Sequence, residues 1–371
     1  MLEVPPLTYD IRQAAHELRS AMHRAVDERA IAGIVVAAGD SERLLFHEHY
    51  GWSRTVPSKL PLGLDSVFDL ASLTKVVATT TLAALAADEG MLNLDGPLSR
   101  FFPEFGSRPP STATVRQLMT HTAGFVWWRP YYKTCHSREK VLAAVFAEEL
   151  VTPPGEERRY SDLSYILLGE TLQRVFGEPL DVVARRRVLG PLGMVDTWFR
   201  PGPDLLPRCV STEIEEGCDL PICGVVHDEN ARAMGGVSGH AGLFSTAYDL
   251  SRFARAMLRG GDPVMPESAF GRLMIRDEAA GGHFLGWVGL EEGGFLSDVF
   301  SLRAFGHSGF TGTSIWMDPG NDVFVVVLTN GVHPKRRDDD AVMSARLECY
   351  RAAVSLVRGY HEAYAALSDH G

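Results

Sequence analysis

Apolar residues recur at helical spacing over residues 10–30, where Ile11, Ala14, Ala15, Leu18, Met22 and Val26 fall on one face. The run Gly33-Ile34-Val35-Val36-Ala37-Ala38-Gly39 that follows is short, apolar and bracketed by glycines, which predicts a strand. Arg43 to His49 predicts a second strand after the polar turn Asp40-Ser41-Glu42, and the two read as a hairpin. At the far end, Thr313 to Met317 and Val323 to Leu328 are β-rich runs around the turn Asp318-Pro319-Gly320-Asn321-Asp322. A helix from about Ala341 to Leu367 closes the chain. The middle differs: Ser72 to Glu89, Ser137 to Leu150, Leu163 to Val175 and Ala247 to Arg259 read as helices between loops such as Val151-Thr152-Pro153-Pro154-Gly155. Strands at both ends with helices between them predict an α/β (α+β) fold. Its antiparallel sheet, flanked by helices, is built from residues 1–70 and 281–371, and a mainly helical part over 71–280 is inserted. No internal repeat or low-complexity segment interrupts this pattern, and Lys335 to Asp340 reads as a solvated turn.

Composition narrows the class. The 371 residues are 45% hydrophobic and 22% charged, the balance of a globular protein. Asp and Glu number 47 against 36 Lys and Arg, a net charge of −11 that repels phosphate backbones and anionic lipid, so neither nucleic acid nor a membrane surface is an expected partner. The opening MLEVPPLTYD lacks the apolar core of a secretory signal, and Val76 to Ala87 is too short to span a bilayer, which together point to a cytoplasmic protein. Five cysteines, an odd number, call for no disulfide framework. Cys209, Cys218 and Cys223 lie close together but lack zinc spacing, so no metal is expected there.

Three short patterns carry candidate chemistry. A serine hydroxyl needs a base within reach, and an i,i+3 pair on a helix supplies one; Ser72-Leu73-Thr74-Lys75 is such a pair. Ser137-Arg138-Glu139-Lys140 has the same spacing, but it opens an ordinary amphipathic helix, whereas Lys75 opens one that is apolar on nearly all faces. Loss of solvation there is expected to lower the Lys75 pKa toward a range useful for proton transfer. The Ser72 amide, at a helix N-terminus, suits a developing oxyanion. The same residues also fit a capping serine with a snorkelling lysine. Tyr160-Ser161-Asp162 stands at a loop-to-helix junction, where Tyr160 beside Lys75 would serve as a general base and Asp162 fits an N-cap. Gly306-His307-Ser308-Gly309-Phe310 places a histidine between glycines on a strand, open to close approach by a substrate; a purely structural histidine fits as well.

In this order, the Ser72/Lys75, Tyr160-Ser161-Asp162 and His307-Ser308-Gly309 patterns resemble the three signature boxes of the penicillin-recognising serine hydrolases: class C β-lactamases, low-molecular-weight DD-peptidases and β-lactamase-like esterases. Phe68-Asp69-Leu70-Ala71, Leu118-Met119-Thr120-His121-Thr122-Ala123-Gly124 and Gly242-Leu243-Phe244-Ser245-Thr246-Ala247 extend the similarity over about residues 15–360. The resemblance implies a β-lactamase/transpeptidase-like fold with the site between its two parts, and acyl transfer through a serine ester. It makes Ser72 the nucleophile, Lys75 and Tyr160 the proton-transfer pair, and the amides of Ser72 and Phe310 the oxyanion hole.

Two positions depart from the family pattern. Asp162 stands where Asn is usual; a carboxylate can only accept a hydrogen bond, which argues against acyl-amide recognition. His307 stands where Lys is common, a weaker carboxylate clamp at a reference pKa near ~6.5, although histidine does occur there in some DD-peptidases. The expected function is therefore a serine hydrolase for a small ester or amide, foremost an esterase. A DD-peptidase or weak β-lactamase, an acyltransferase, and a non-catalytic ligand-binding or sensor protein are the alternatives. Ser308, Gly309, Trp127, Trp128 and His240 join His307, Asp162 and Phe310 as expected substrate contacts. The aromatic run around Trp127 suits either core cover or an acyl grip. His227, Asp228 and His240 have metal-ligand chemistry, but the family reaction needs no cofactor, and none is expected.

Overall fold

The computed structural model describes residues 9–28, 31–336 and 340–368. Residues 1–8 of the opening segment and 337–339 of the charged turn lie outside them. Helix α1 (Tyr9–Asp27) leads into β1 (Gly33–Gly39), β2 (Leu44–Arg54), β3 (Leu60–Pro61) and β4 (Phe68–Asp69). Then come α2 (Thr81–Asp88, entered through a π turn at Lys75–Thr80), α3 (Val115–Met119), α4 (Arg138–Ala147), α5 (Asp162–Phe176) and α6 (Leu180–Ala184). Next are β5 (Trp198–Phe199), α7 (Glu229–Ala233), β6 (Leu243–Ser245), α8 (Ala247–Leu258) and α9 (Glu267–Leu273). The chain ends with β7 (Val288–Gly289), β8 (Phe305–Ser308), β9 (Ser314–Asp318), β10 (Val323–Thr329) and α10 (Ala341–Ser368). Both expected hairpins form, and the sheet runs β3-β2-β1-β10-β9-β8-β7, so the two chain ends meet where β1 pairs antiparallel with β10. A second, small sheet has the order β4-β6-β5.

β1 and β10 are apolar throughout because both of their faces are buried. Ile34, Val36, Ala38, Val325 and Val327 face the layer of α1 and α10, while Val35, Ala37, Val326 and Leu328 belong to the larger core shared with the helices. At ~1.5–3 kcal/mol for each fully buried Val or Ile side chain, this double-sided strand pair anchors the sheet. Helix α8 packs against β1, β9 and β10.

Two features carry the sheet to the site. The helix expected over 72–89 does not open as a regular α-helix: residues 75–80 form a π turn in which Thr81 Oγ1 donates to Val76 O at 2.9 Å. Its neighbours Thr79 and Thr80 spend their hydroxyls on Gly239 O and Tyr165 Oη, at 2.7 and 3.1 Å, so the polar side chains of a fully buried helix are satisfied by other elements. The β8–β9 turn docks on the strand before Ser72, with Thr311 Oγ1 donating to Asp69 O (2.7 Å) and Thr313 Oγ1 to Leu70 O (3.0 Å). Gly309 lies in this contact, and a Cβ on it would stand 2.4 Å from Leu70 O and 2.3 Å from Thr313 Oγ1. Gly309→Ala is therefore expected to push the turn off β4 and cost about 1–3 kcal/mol, as overpacking does. A thermal melt with the Tm of the unaltered protein would contradict this.

Candidate active site

Ser72 is presented by a strained turn. Ala71, just before it, has φ = 46°, a left-handed conformation unusual for a residue with a Cβ. Asp69 holds it: Oδ1 accepts from Ala71 N at 2.9 Å, and Oδ2 accepts from His227 N at 2.6 Å. Burial raises the Asp69 pKa, with these backbone donors opposing the rise.

Lys75 is wholly buried. Its Nζ donates to Ser72 Oγ (3.0 Å) and to the main-chain oxygen of His240 (3.0 Å), and it pairs with Asp162 Oδ1 at 2.7 Å. The Tyr160 and Tyr165 rings lie 5.1 and 5.7 Å from it. The expected fall in the Lys75 pKa is overturned. Burial does favour the neutral amine, but the Asp162 carboxylate and Tyr160 outweigh it, and the net shift is upward. Lys75 is an ammonium at rest.

α5 begins at this point because Ser161 caps it, with Oγ accepting from Ser164 N at 3.3 Å. Asp162 is thus the first helical residue and not the cap, which frees its carboxylate for Lys75. The Tyr160 phenol interacts with both Lys75 and Ser72; burial raises its pKa, and the ammonium only partly offsets this. His121, also at positive φ (61°), accepts from Ser161 N through Nδ1 at 3.0 Å, and its ring packs tilted by 33° against Tyr160, centroids 4.5 Å apart. Burial, and then the charge of Lys75, hold the His121 pKa well below its ordinary value.

From the sheet side, β8 brings His307 to 6.1 Å from the Tyr160 ring. His307 Nδ1 lies 2.8 Å from Ser308 O, and burial followed by the Lys75 charge pulls its pKa down to about 3. The expectation that it titrates near its reference value is therefore corrected: His307 is neutral across the working pH range. Ser308 is exposed and Gly309 buried. Among the described residues, neither the Ser72 nor the Phe310 amide has a hydrogen-bond partner within the chain. Both residues line one cleft, so two free N–H donors border it.

The sequence model of the family described as "Beta-lactamase" matches residues 18–348. The chain belongs to the Beta-lactamase family. It is 30% identical over 306 residues to an Escherichia coli (strain K12) protein named "Putative D-alanyl-D-alanine carboxypeptidase", covering 72% of this chain and 70% of that protein. Among solved structures it is similar to "EstCE1, a hydrolase with promiscuous acyltransferase activity", with a TM-score of 0.76, 22% identity, and coverage of 94% of this chain and 100% of that one. It is also similar to a class C β-lactamase from Rhodobacter sphaeroides, with a TM-score of 0.70, 20% identity, and coverage of 91% and 98%. Family members are serine hydrolases, and these structures share the antiparallel sheet with flanking helices.

In this family member the cleft above Ser72 has a volume of about 170 Å³ and is walled by Trp127, Trp128, His227, Asp228, His240 and Phe310 among others. Trp127 and Phe310 are 59% and 62% exposed, so of the two uses expected for the aromatic run, Trp127 has its ring at the cleft and not in the core. The loop is pinned by Asp162 N donating to Trp127 O (2.9 Å) and by Asn230 Nδ2 donating to Arg129 O (2.8 Å). Every charged side chain lining the cleft is already paired: Arg336 with Glu213 and Glu229, and Asp228 with His240. Burial works against ionisation of Glu213, yet His227 and Arg336 bring its carboxyl down to about 2. Asp162, expected as a carboxylate acceptor in the site, is ion-paired with Lys75 at 2.7 Å.

Of His227, Asp228 and His240, the three residues with metal-ligand chemistry, Asp228 and His240 come together, joined by Asp162 and not by His227, with ligand atoms within 4.8 Å of one another. The Lys75 ammonium already provides the cation there. Sequence reasoning passed over Asp69 and His121 as functional supports, although both lie in the stretches Phe68-Asp69-Leu70-Ala71 and Leu118-Met119-Thr120-His121-Thr122-Ala123-Gly124 that carry the resemblance.

These shifts have a measurable consequence. The rate of covalent labelling of Ser72 by a fluorophosphonate is expected to rise with pH toward mildly alkaline conditions, as the coupled Lys75–Tyr160–Asp162 group loses a proton. Asp162→Asn removes the attraction that keeps Lys75 charged and leaves burial, which favours the amine, so the midpoint should move to lower pH whatever happens to the plateau. His307→Ala should leave the midpoint between pH 5 and 8 unmoved. Labelling followed by intact mass across pH checks both, and an upward shift in Asp162→Asn or a shift of ~1 unit in His307→Ala would refute the electrostatic assignment.

Proposed function

We propose that this protein is an esterase-type serine hydrolase that acts through an acyl-enzyme on Ser72, with small neutral esters as its substrates. The single observation that carries the reading is Lys75 Nζ, at once hydrogen-bonded to Ser72 Oγ and ion-paired with Asp162 Oδ1. Ser72 Oγ attacks the ester carbonyl, and its proton passes to Nζ as Nζ hands one of its own to the Asp162 side. The charge developing on the carbonyl oxygen is received by the Ser72 and Phe310 amides. Collapse breaks the C–O bond to the alcohol, which leaves with the proton returned from the Lys75–Tyr160–Asp162 group. Water then repeats the sequence on the acyl ester and frees Ser72. The cleft would lie between the sheet part (1–70 and 281–371) and the helical part (71–280).

Neutral substrates are favoured by the paired charges of the cleft, since Arg336 is held by two glutamates and His307 is uncharged. A carboxylate entering there would have to break one of these pairs. The carboxypeptidase named among the relatives supports a second reading, a substrate ending in a carboxylate.

Ser72→Ala and Lys75→Ala are each expected to lower turnover of a p-nitrophenyl ester by on the order of 10³ or more, with the double variant little worse than either, because the two act as a unit. Near-native thermal melts would show that folding is retained. For substrate class, kcat/KM for a short-chain p-nitrophenyl ester should exceed that for a penicillin; a penicillin value equal or higher would overturn the ester reading. Loss of activity in Ser137→Ala but not in Ser72→Ala would overturn the site itself.

A further inference from the structure

Asp228 has a geometry that its place in the chain does not require. It caps α7, with Oδ1 accepting from Ala231 N at 2.7 Å, and a serine, threonine or asparagine would cap as well. The same Oδ1 lies 2.8 Å from His240 Nε2, and the other ring nitrogen of His240 lies 2.8 Å from Ser238 Oγ. The ring is thus fastened at both nitrogens, and His240 is 1% exposed. Burial opposes ionisation of Asp228, but His240 more than offsets it and keeps the carboxyl well below its usual range.

The main chain of His240 explains what this fastening holds. Its carbonyl accepts from Lys75 Nζ, across 165 residues of sequence. The preceding residue has no alternative: a Cβ on Gly239 would lie 2.1 Å from Tyr165 O, and Gly239 O accepts from Thr79 Oγ1 at 2.7 Å. A carbonyl can only accept, so one Nζ–H must stay on His240 O whether Lys75 is an ammonium or an amine. With that direction taken, the remaining directions at Nζ are left to Ser72 and Asp162. A small rotation of the His240 peptide would misdirect it, and misplacement of a reacting group by ~1 Å can cost ~10²-fold in rate.

We propose that Asp228 is a positioning residue for the acyl-transfer step: it clamps the His240 ring, and the His240 carbonyl in turn holds Lys75 Nζ on Ser72. This rests on the reading of Ser72 as nucleophile and Lys75 as its proton partner. Asp228 need not touch the substrate to act.

The test is the rate at which a fluorophosphonate labels Ser72, followed by intact mass with increasing probe concentration. Phosphorus is attacked by Oγ, fluoride leaves, and the hydroxyl proton goes to the Lys75 group, so the readout needs no known substrate. Asp228→Asn keeps the cap and an acceptor for His240; its maximal rate should fall about fivefold, with the half-saturating probe concentration within twofold. Asp228→Ala, which loses the clamp, should fall by on the order of 10², again mainly in the maximal rate. In a Lys75→Ala background either Asp228 change should add less than twofold, because the residue through which Asp228 acts is gone. An unchanged maximal rate in Asp228→Ala, a change confined to half-saturation, or the full further loss in the Lys75→Ala background would overturn the proposal. Should Asp228→Ala fail to fold, the Asp228→Asn rates alone and in the Lys75→Ala background decide. Failure of the unaltered protein to label at Ser72 would instead overturn the nucleophile assignment.

Discussion

A buried ammonium is the constraint around which this molecule is arranged. Taking a lysine headgroup out of water costs on the order of several kcal/mol even after relaxation, and only close partners repay it. Lys75 finds them in three parts of the chain: Ser72 on its own turn, Asp162 at the start of α5, and the His240 carbonyl in the loop before β6. Each partner must arrive with its own orientation fixed. Ser161 takes over the capping of α5, His121 holds the Ser161 amide, and the glycine before His240 lets that loop touch α5. Each support thus acts on Lys75 through the partner that it orients.

The sheet contributes in a different way. Its central pair, β1 and β10, is apolar on both faces and makes a rigid base, while its far edge, β8 with the turn into β9, is fastened to the residues just before Ser72 by two threonine hydroxyls. The Phe310 amide therefore stands on a strand end tied to the same backbone that carries Ser72. The segments that carry these two N–H donors are held together by short, direct contacts and not through the length of a flexible loop. That is the kind of preorganisation that oxyanion stabilisation requires.

Charge pairing sets the character of the cleft. Arg336, on the cleft wall, pairs with Glu213 and Glu229, and Asp228 lies within hydrogen-bond distance of His240. A wall whose charges are already satisfied recognises shape and apolar surface more readily than it recognises ions, and the exposed rings of Trp127 and Phe310 offer that surface. His307 adds no charge, because burial and the Lys75 ammonium both disfavour its protonation.

Sequence by itself determined the main elements and the order of the candidate residues. Periodicity marked β1, β2, β9, β10 and α10 because both faces of a central strand, or one face of a helix, leave their spacing in the chain. Ser72 and Lys75, one helical turn apart, could be paired locally, and the Tyr160 and His307 segments were legible as short patterns at a helix start and a strand end. Their electrostatic states were not legible. The sequence reading put the Lys75 pKa below its ordinary value and left His307 near its own, and both came out differently, since a pKa sums burial against every nearby charge and those charges come from distant segments. Asp162 looked like a cap because capping is a local property; only the fold shows Ser161 doing that work and Asp162 facing Lys75. The Asp228–His240 hydrogen bond was likewise decided by tertiary structure, because the loop before β6 must fold back on the start of α7 while its Gly239 packs on the α5 backbone, contacts that no spacing along the chain records.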